Sequence, residues 1–135
     1  MKKIDNFVNC LKVLEDADFD NAYDDEIYRM GVIGQFNLTF ELSWKALQAV
    51  LRLHGVSGAE NGSPREILKL GYGTGFVSDS EVWLLMLNKR NENIHVYDDE
   101  EIDELIIMIR DSFVPAFRRL AGILKEKIDE LDEKF

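Results

Sequence analysis

Apolar residues recur at helical spacing along most of the chain, and no strand-like alternation of any length is present. A first amphipathic helix is predicted over residues 4–17. After a polar segment, a long helix is predicted over residues 26–54, with Asp24 or Asp25 as its N-cap and Gly55 as the glycine that follows its end. The first half of the chain is therefore predicted to be helical.

The sequence Ser63-Pro64-Arg65-Glu66 carries a strong signal for the start of a helix. It combines an N-cap serine, a proline at the first helical position and a glutamate that completes a capping box. The glycines at 71, 73 and 75 follow within ten residues. Because no strand precedes them and no Gly-Lys-Ser/Thr ends them, they predict a connector after a short helix and not a phosphate-binding loop.

A further helix is predicted to begin at the capping pair Ser78 and Glu81 and to reach residue 93. The segment 82–87 reads Val-Trp-Leu-Leu-Met-Leu and is apolar on every side. A helix of this kind is buried on all faces. We therefore expect it to be central in the domain or covered by a second subunit.

The last helix is predicted to start at Asp98 or Asp99 and to continue to about residue 134, with a kink at Pro115. Its charged end, about residues 126–135, is expected to protrude or to pack on another chain. The predicted fold is an all-α, up-and-down bundle of four long helices and a short one, in a single domain over residues 1–135.

Composition limits the possible functions. The net charge of −10 repels a polyanion, so any contact with RNA or nucleotide has to be local. Cys10 is the single cysteine, and His54 and His95 are the only histidines. We therefore expect no metal site built from cysteines or from a histidine cluster. No cofactor is expected either. No secretion signal or membrane-spanning stretch is recognisable, so a cytoplasmic location without membrane contact is expected.

Candidate chemistry is concentrated in residues 88–98, Asn-Lys-Arg-Asn-Glu-Asn-Ile-His-Val-Tyr-Asp. Arg90 occupies a position that the helical pattern reserves for an apolar residue, so it requires an anionic partner or a water-lined pocket. Asn91 and His95 are four residues apart and can share a site, and Tyr97 falls in the turn before the cap residue Asp98. Each has an ordinary structural explanation, namely an ion pair, a helix cap and packing; their combination favours a site.

The spacing of Arg90, His95 and Tyr97 resembles the signature of HEPN domains, in the form that ends His-x-Tyr. The chain as a whole is similar to the nucleotidyltransferase substrate-binding protein branch of that superfamily. Three further segments carry this similarity: Phe-Glu-Leu-Ser-Trp-Lys at 40–45, Ser-Pro-Arg-Glu at 63–66 and Glu-Val-Trp at 81–83. The resemblance covers roughly residues 4–125.

The resemblance implies a HEPN-like helical bundle that forms a homodimer, with two arginine–histidine motifs at the interface. It implies a minimal nucleotidyltransferase as the partner in a toxin–antitoxin pair, and metal-independent ribonuclease activity in many members. Carried onto this chain, Arg90 would bind the scissile phosphate and His95 would be the general acid or base. Asn91 would orient His95 or the phosphate. Tyr97 would be the residue that the partner modifies with AMP.

Three hypotheses follow. In the first, the protein is a ribonuclease toxin that uses Arg90 and His95 on RNA. In the second, it is a non-catalytic subunit that docks the nucleotidyltransferase and binds nucleotide at the same residues. In the third, it is a structural helical dimer in which the motif is only an ion pair and a cap. Whether the protein is an enzyme is left open by the sequence.

Overall fold

The computed structural model describes residues 1–91 and 98–134. Within these residues every regular element is helical, which confirms the predicted all-α class. The elements are α1 (Lys2–Glu15), α2 (Asn21–Asp24), α3 (Glu26–Leu53), α4 (Pro64–Gly73), α5 (Ser80–Asn91), α6 (Asp99–Met108), a π-helical turn (Ile109–Phe113) and α7 (Val114–Lys134).

The core lies between α1, α3 and α7, where aromatic side chains interlock. Phe36 of α3 stacks on Phe113 with ring centroids 5.1 Å apart, and Phe7 of α1 meets Phe117 of α7 edge-on at 6.1 Å. All four rings are fully buried. Burial of this much aromatic surface is the main force holding the three helices together.

The long helix α3 begins and ends at the predicted signals. The Asp25 carboxylate accepts a hydrogen bond from the Tyr28 backbone N–H at 3.0 Å, so Asp25 and not Asp24 is the N-cap. His54 is the C-cap, and Gly55 follows with φ of +73°. The short helix α2, in the polar segment before Asp25, was not predicted; it is a single turn that buries Ala22.

The prediction of a glycine connector after α4 is wrong for its first two glycines. Gly71 and Gly73 belong to α4, and Gly75, with φ of +82°, is the glycine that ends it. A Cβ on Gly71 would lie 2.9 Å from methyl groups of both Leu47 and Val77, so this glycine permits close packing of α4 on α3. Ser63 caps α4 as predicted, accepting from the Glu66 N–H at 3.3 Å.

The start of α5 differs from the prediction in its N-cap. The helix begins at Ser80, which makes Asp79 and not Ser78 the N-cap residue; the Asp79 carbonyl accepts from the backbone N–H of Trp83 at 3.3 Å. The apolar segment 82–87 is partly exposed in the single chain, so it is not enclosed on every side by its own domain; the alternative, that a second subunit covers it, stays a prediction. Trp83 is 1% exposed, but Leu84 and Leu85 are 38% and 37% exposed in the single chain.

The structure has a change in helical register close to Pro115, where a kink was predicted. The π-helical turn Ile109–Phe113 separates α6 from α7 and ends two residues before the proline. Pro115 has no N–H to donate to the carbonyl of Asp111, and a π-turn, with its wider hydrogen-bond register, accommodates that loss inside a continuous helical path.

The helix end that was expected to protrude, about residues 126–135, still contacts the rest of the protein at its beginning. Within α7, the Lys127 carbonyl lies 2.8 Å from His54 Nε2, and the Lys127 ammonium lies 5.2 Å from the centre of the Phe76 ring. Ile128 also packs against the core. The last helix therefore stays in contact with the rest of the protein for at least two residues beyond position 126.

Candidate functional site

Arg90 lies in the last turn of α5 and contacts the middle of α3. Its guanidinium forms an ion pair with the carboxylate of Glu41 and lies 5.8 Å from the centre of the Phe40 ring. The ion pair supplies the anionic partner that was expected, as one of two alternatives, for an arginine on the apolar stripe of this helix. The sequence did not indicate which acidic residue would be this partner.

Glu41 is itself held by a second hydrogen bond. The indole Nε1 of Trp44 donates to Glu41 Oε2 at 3.1 Å, three residues along the same helix. We refer to Arg90, Glu41, Trp44 and Phe40 as the Arg90 cluster. In the sequence analysis, Glu41 and Trp44 contributed to the family resemblance only. The need for an acid near Arg90 could have pointed to Glu41, but no signal in the sequence indicated the role of Trp44.

The Arg90 cluster is positioned by the core beneath it. Phe40 is fully buried and packs against Trp83 of α5, with ring centroids 6.3 Å apart. Trp83 in turn meets Phe117 of α7 edge-on at 5.6 Å. The path from the core to Arg90 thus runs through packed aromatic rings, which fixes the end of α5 against α3.

The electrostatics of the cluster are those of a half-buried ion pair. The side chains of Arg90 and Glu41 are 30% and 28% exposed, so the pair is shielded from water over most of its surface but still reaches it. A guanidinium has five N–H donors in a planar fork. Glu41 fixes the orientation of this fork, and a planar guanidinium fork matches the geometry of carboxylate and phosphate oxygens.

The structure describes two of the four predicted site residues. Arg90 is placed as described, and Asn91 is the last residue of α5. His95 and Tyr97 lie outside the described residues, so the structure does not test whether they join Arg90. On the far side of that gap, Asp98 caps α6 as predicted, accepting from the Glu101 N–H at 2.8 Å.

Neither a metal centre nor a membrane span is found in the part of the chain that the structure describes. Residues 1–91 and 98–134 contain no group of three His, Cys, Asp or Glu side chains that could hold a metal ion. Cys10 is buried, with its sulfur 3.3 Å from Thr39 Oγ1. No helix in the same residues is long and apolar enough to cross a bilayer.

Comparison with known proteins agrees with the observed fold. The crystal structure of a protein from Thermus thermophilus matches with a TM-score of 0.71 and 27% sequence identity, over 87% of this chain and 98% of that one. No curated protein matches the chain. The family model described as "nucleotidyltransferase substrate binding protein like" matches residues 2–126, and the chain therefore belongs to that family.

Proposed function

We propose that the protein is the HEPN-type partner of a minimal nucleotidyltransferase, and that it cleaves RNA without a metal ion at a site containing Arg90, Asn91 and His95. The observation that carries this proposal is the Arg90 cluster. A guanidinium held by Glu41 and Phe40 at the end of α5 is a fixed cation immediately before the histidine motif. Membership of the substrate-binding family supports the role as a nucleotidyltransferase partner.

The proposed chemistry divides between a cation and a proton carrier. The ribose 2′-hydroxyl attacks the neighbouring phosphorus, the bond to the 5′-oxygen breaks, and a 2′,3′-cyclic phosphate and a 5′-hydroxyl result. Arg90 stabilises the charge on the phosphorus oxygens. One histidine accepts the 2′-hydroxyl proton and another supplies a proton to the leaving oxygen, a role that suits the neutral-range pKa typical of imidazole.

Two histidines at one site require a homodimer, because each chain supplies one His95. The outer side of α3 supports such a dimer. Its exposed positions include Ile27, Met30 and Leu38, which are 86%, 39% and 51% exposed. Glu41 is three residues beyond Leu38, so an interface along this stripe would bring the two Arg90 clusters towards each other.

The dimer is tested by light scattering on two leucine variants of α3. Leu38→Glu should dissociate the dimer, whereas Leu53→Glu should leave it intact. Leu53 is 54% exposed and so matches Leu38 in exposure, but it is the last residue of α3 and lies about 22 Å further along the helix axis. A monomeric wild-type protein, or a Leu38→Glu variant that remains dimeric, would contradict this interface.

The ribonuclease is tested with purified protein and RNA in EDTA. Wild-type protein should cleave, His95→Ala should not, and Tyr97→Phe should cleave as well as wild type. Circular dichroism on each variant confirms that the fold is retained. Intact RNA with the wild-type dimer across several substrates would overturn the nuclease assignment.

A second candidate function is a non-catalytic subunit that docks the nucleotidyltransferase and presents nucleotide to it. The acidic chain, with a net charge of −10, favours this alternative over binding of long RNA. It predicts that wild-type protein and His95→Ala both leave RNA intact, while AMP binding is lost in Arg90→Ala.

Modification of Tyr97 is proposed for either function. The tyrosine oxygen would attack the α-phosphorus of ATP in the active site of the partner, forming the AMP ester and releasing pyrophosphate. Mass spectrometry after incubation with the nucleotidyltransferase and ATP should show one added AMP per chain. The addition should be absent in Tyr97→Phe.

A further inference from the structure

A cleft between α4 and α5 shares no lining residue with the Arg90 cluster. Its volume is about 370 Å³, within the range of small-molecule sites, about 300–1,000 Å³. Its walls are mainly apolar, with Leu68, Val77 and Leu84 beside the aromatic rings of Tyr72 and Trp83. Such walls suit a flat hydrophobic group.

Two cations border the cleft, Arg65 and Lys69 on α4. They are four residues apart, so their charges lie about one helical turn from each other and repel. The other lining residues with a polar side-chain group are Tyr72 and Ser80. Among the residues that the structure describes, none of those lining the cleft is acidic, although the chain carries 26 Asp and Glu residues.

Arg65 is also distinct among the seven arginines of the chain. Within residues 1–91 and 98–134, the other six each form an ion pair or a hydrogen bond: Arg29 with Asp103, Arg52 with backbone carbonyls, Arg90 with Glu41, Arg110 with Asp111, Arg118 with Glu15 and Arg119 with Asp79. Arg65 has no such partner there. In so acidic a protein, an unneutralised pair of cations beside an apolar cleft provides complementary charge for an anion.

We infer that the α4–α5 cleft binds a small aromatic anion, with the ring system between Tyr72, Trp83 and Leu84 and the anionic group at Arg65 and Lys69. The ligand class covers aromatic carboxylates and nucleoside monophosphates, which share a flat ring and a negative group. This inference is independent of the proposed function, because it uses no residue of the Arg90 cluster.

The first experiment compares two fluorescent dyes of similar shape. 8-Anilinonaphthalene-1-sulfonate carries the negative charge, and N-phenyl-1-naphthylamine is its neutral counterpart. The sulfonate should bind saturably at one site per chain and more tightly than the neutral dye. Equal affinity for the two dyes would overturn the assignment of the cations.

Charge variants test the role of the cleft border. Arg65→Gln and Lys69→Gln should each weaken binding of the sulfonate by about two- to fivefold, as expected for loss of one exposed charge contact. Binding of the neutral dye should not change. The control is Lys12→Gln, since Lys12 is an exposed lysine on α1 far along the chain from the cleft.

Two adjacent leucines provide a matched test of location. Leu84 and Leu85 are almost equally exposed, but only Leu84 lines the cleft. Leu84→Glu should abolish sulfonate binding, and Leu85→Glu should preserve it. Equal effects of the two variants would show that the dye reports the outer face of α5 or the assembly state, and would overturn the proposal.

Competition experiments identify the chemical class of the natural ligand. Displacement of the dye by 2-naphthoate indicates an aromatic carboxylate, and displacement by AMP indicates a nucleotide; either supports the proposal, and failure of both overturns it. His95→Ala should bind the dye as wild type does. Loss of ribonuclease activity and loss of cleft binding can therefore be told apart.

Discussion

The ion pair between Arg90 and Glu41 can be measured with a double-mutant cycle. Arg90→Met removes the guanidinium but keeps an unbranched apolar chain over Phe40. Glu41→Gln removes the charge but keeps an oxygen for the Trp44 indole. Each single variant should lower the free energy of unfolding, and the double variant should lose little more than either one.

The expected coupling energy follows from the partial burial of the pair. Exposed ion pairs contribute about 0.2–1 kcal/mol, whereas hydrogen bonds to charged groups contribute about 1.5–3 kcal/mol. Arg90 and Glu41, about 30% exposed, lie between these cases after allowance for solvent screening. We expect a coupling of about 1–1.5 kcal/mol, equivalent to about 4–5 °C in Tm for a chain of this length.

Urea unfolding followed by tryptophan fluorescence and by circular dichroism gives the four free energies. The control cycle uses Arg118 and Glu15, whose ion pair is 2.9 Å long but leaves the arginine side chain 57% exposed. Its coupling should stay below about 0.5 kcal/mol. A coupling at Arg90 and Glu41 no larger than that of the control would refute the structural role assigned to the Arg90 cluster.

Three further predictions concern local structure. Gly71→Ala should lower the unfolding free energy by about 1–2 kcal/mol because its Cβ meets two buried methyl groups, whereas Gly73→Ala, with open space around it, should raise it by about 0.5 kcal/mol, as thermal melts will show. Asp98→Ala should cost about 1 kcal/mol in urea unfolding through loss of the cap on α6. The hydrogen bond from Arg110 holds the pKa of Asp111 below its ordinary value, so any stabilisation it provides is present above the ordinary carboxyl pKa and is lost as the pH falls through the lowered one; an NMR titration should show the pKa rise in Arg110→Gln.

Structural features that depend on residues within one or two helical turns were predictable from the sequence. The caps at Ser63 and Asp98 and the C-terminal glycine Gly55 all appear where the residue types indicated. Each depends on a side chain or a glycine satisfying the needs of a backbone group a few residues away. Such interactions are largely independent of the rest of the fold.

Features that depend on distant neighbours were not predictable in the same way. Gly71 looked like a helix breaker because glycine has a low helix propensity. Its place inside α4 follows from the approach of Leu47 and Val77, which only the folded chain brings together. Pro115 predicted a kink, but the missing N–H of a proline does not by itself specify the π-helical turn that the structure has at Ile109–Phe113.

The candidate site was predictable in kind but not in detail. The apolar stripe of α5 showed that Arg90 needs an acid, and the structure supplies Glu41 from a position 49 residues earlier in the sequence. Nothing local to Arg90 distinguishes Glu41 from the many other acidic residues of the chain. The α4–α5 cleft likewise depends on tertiary structure, since Arg65, Lys69 and Tyr72 come from α4, whereas Trp83 and Leu84 come from α5.

The dual position of Arg90 determines how functional variants should be interpreted. Because the guanidinium is part of the packing between α3 and α5, loss of activity in Arg90→Ala alone does not distinguish binding of phosphate from support of the helix end. Arg90→Lys keeps the positive charge near Glu41 but removes the planar fork that matches phosphate oxygens. If Arg90→Lys keeps its stability but loses binding or cleavage, the guanidinium contacts the ligand. If stability and activity fall together, the role of the guanidinium is to support the fold.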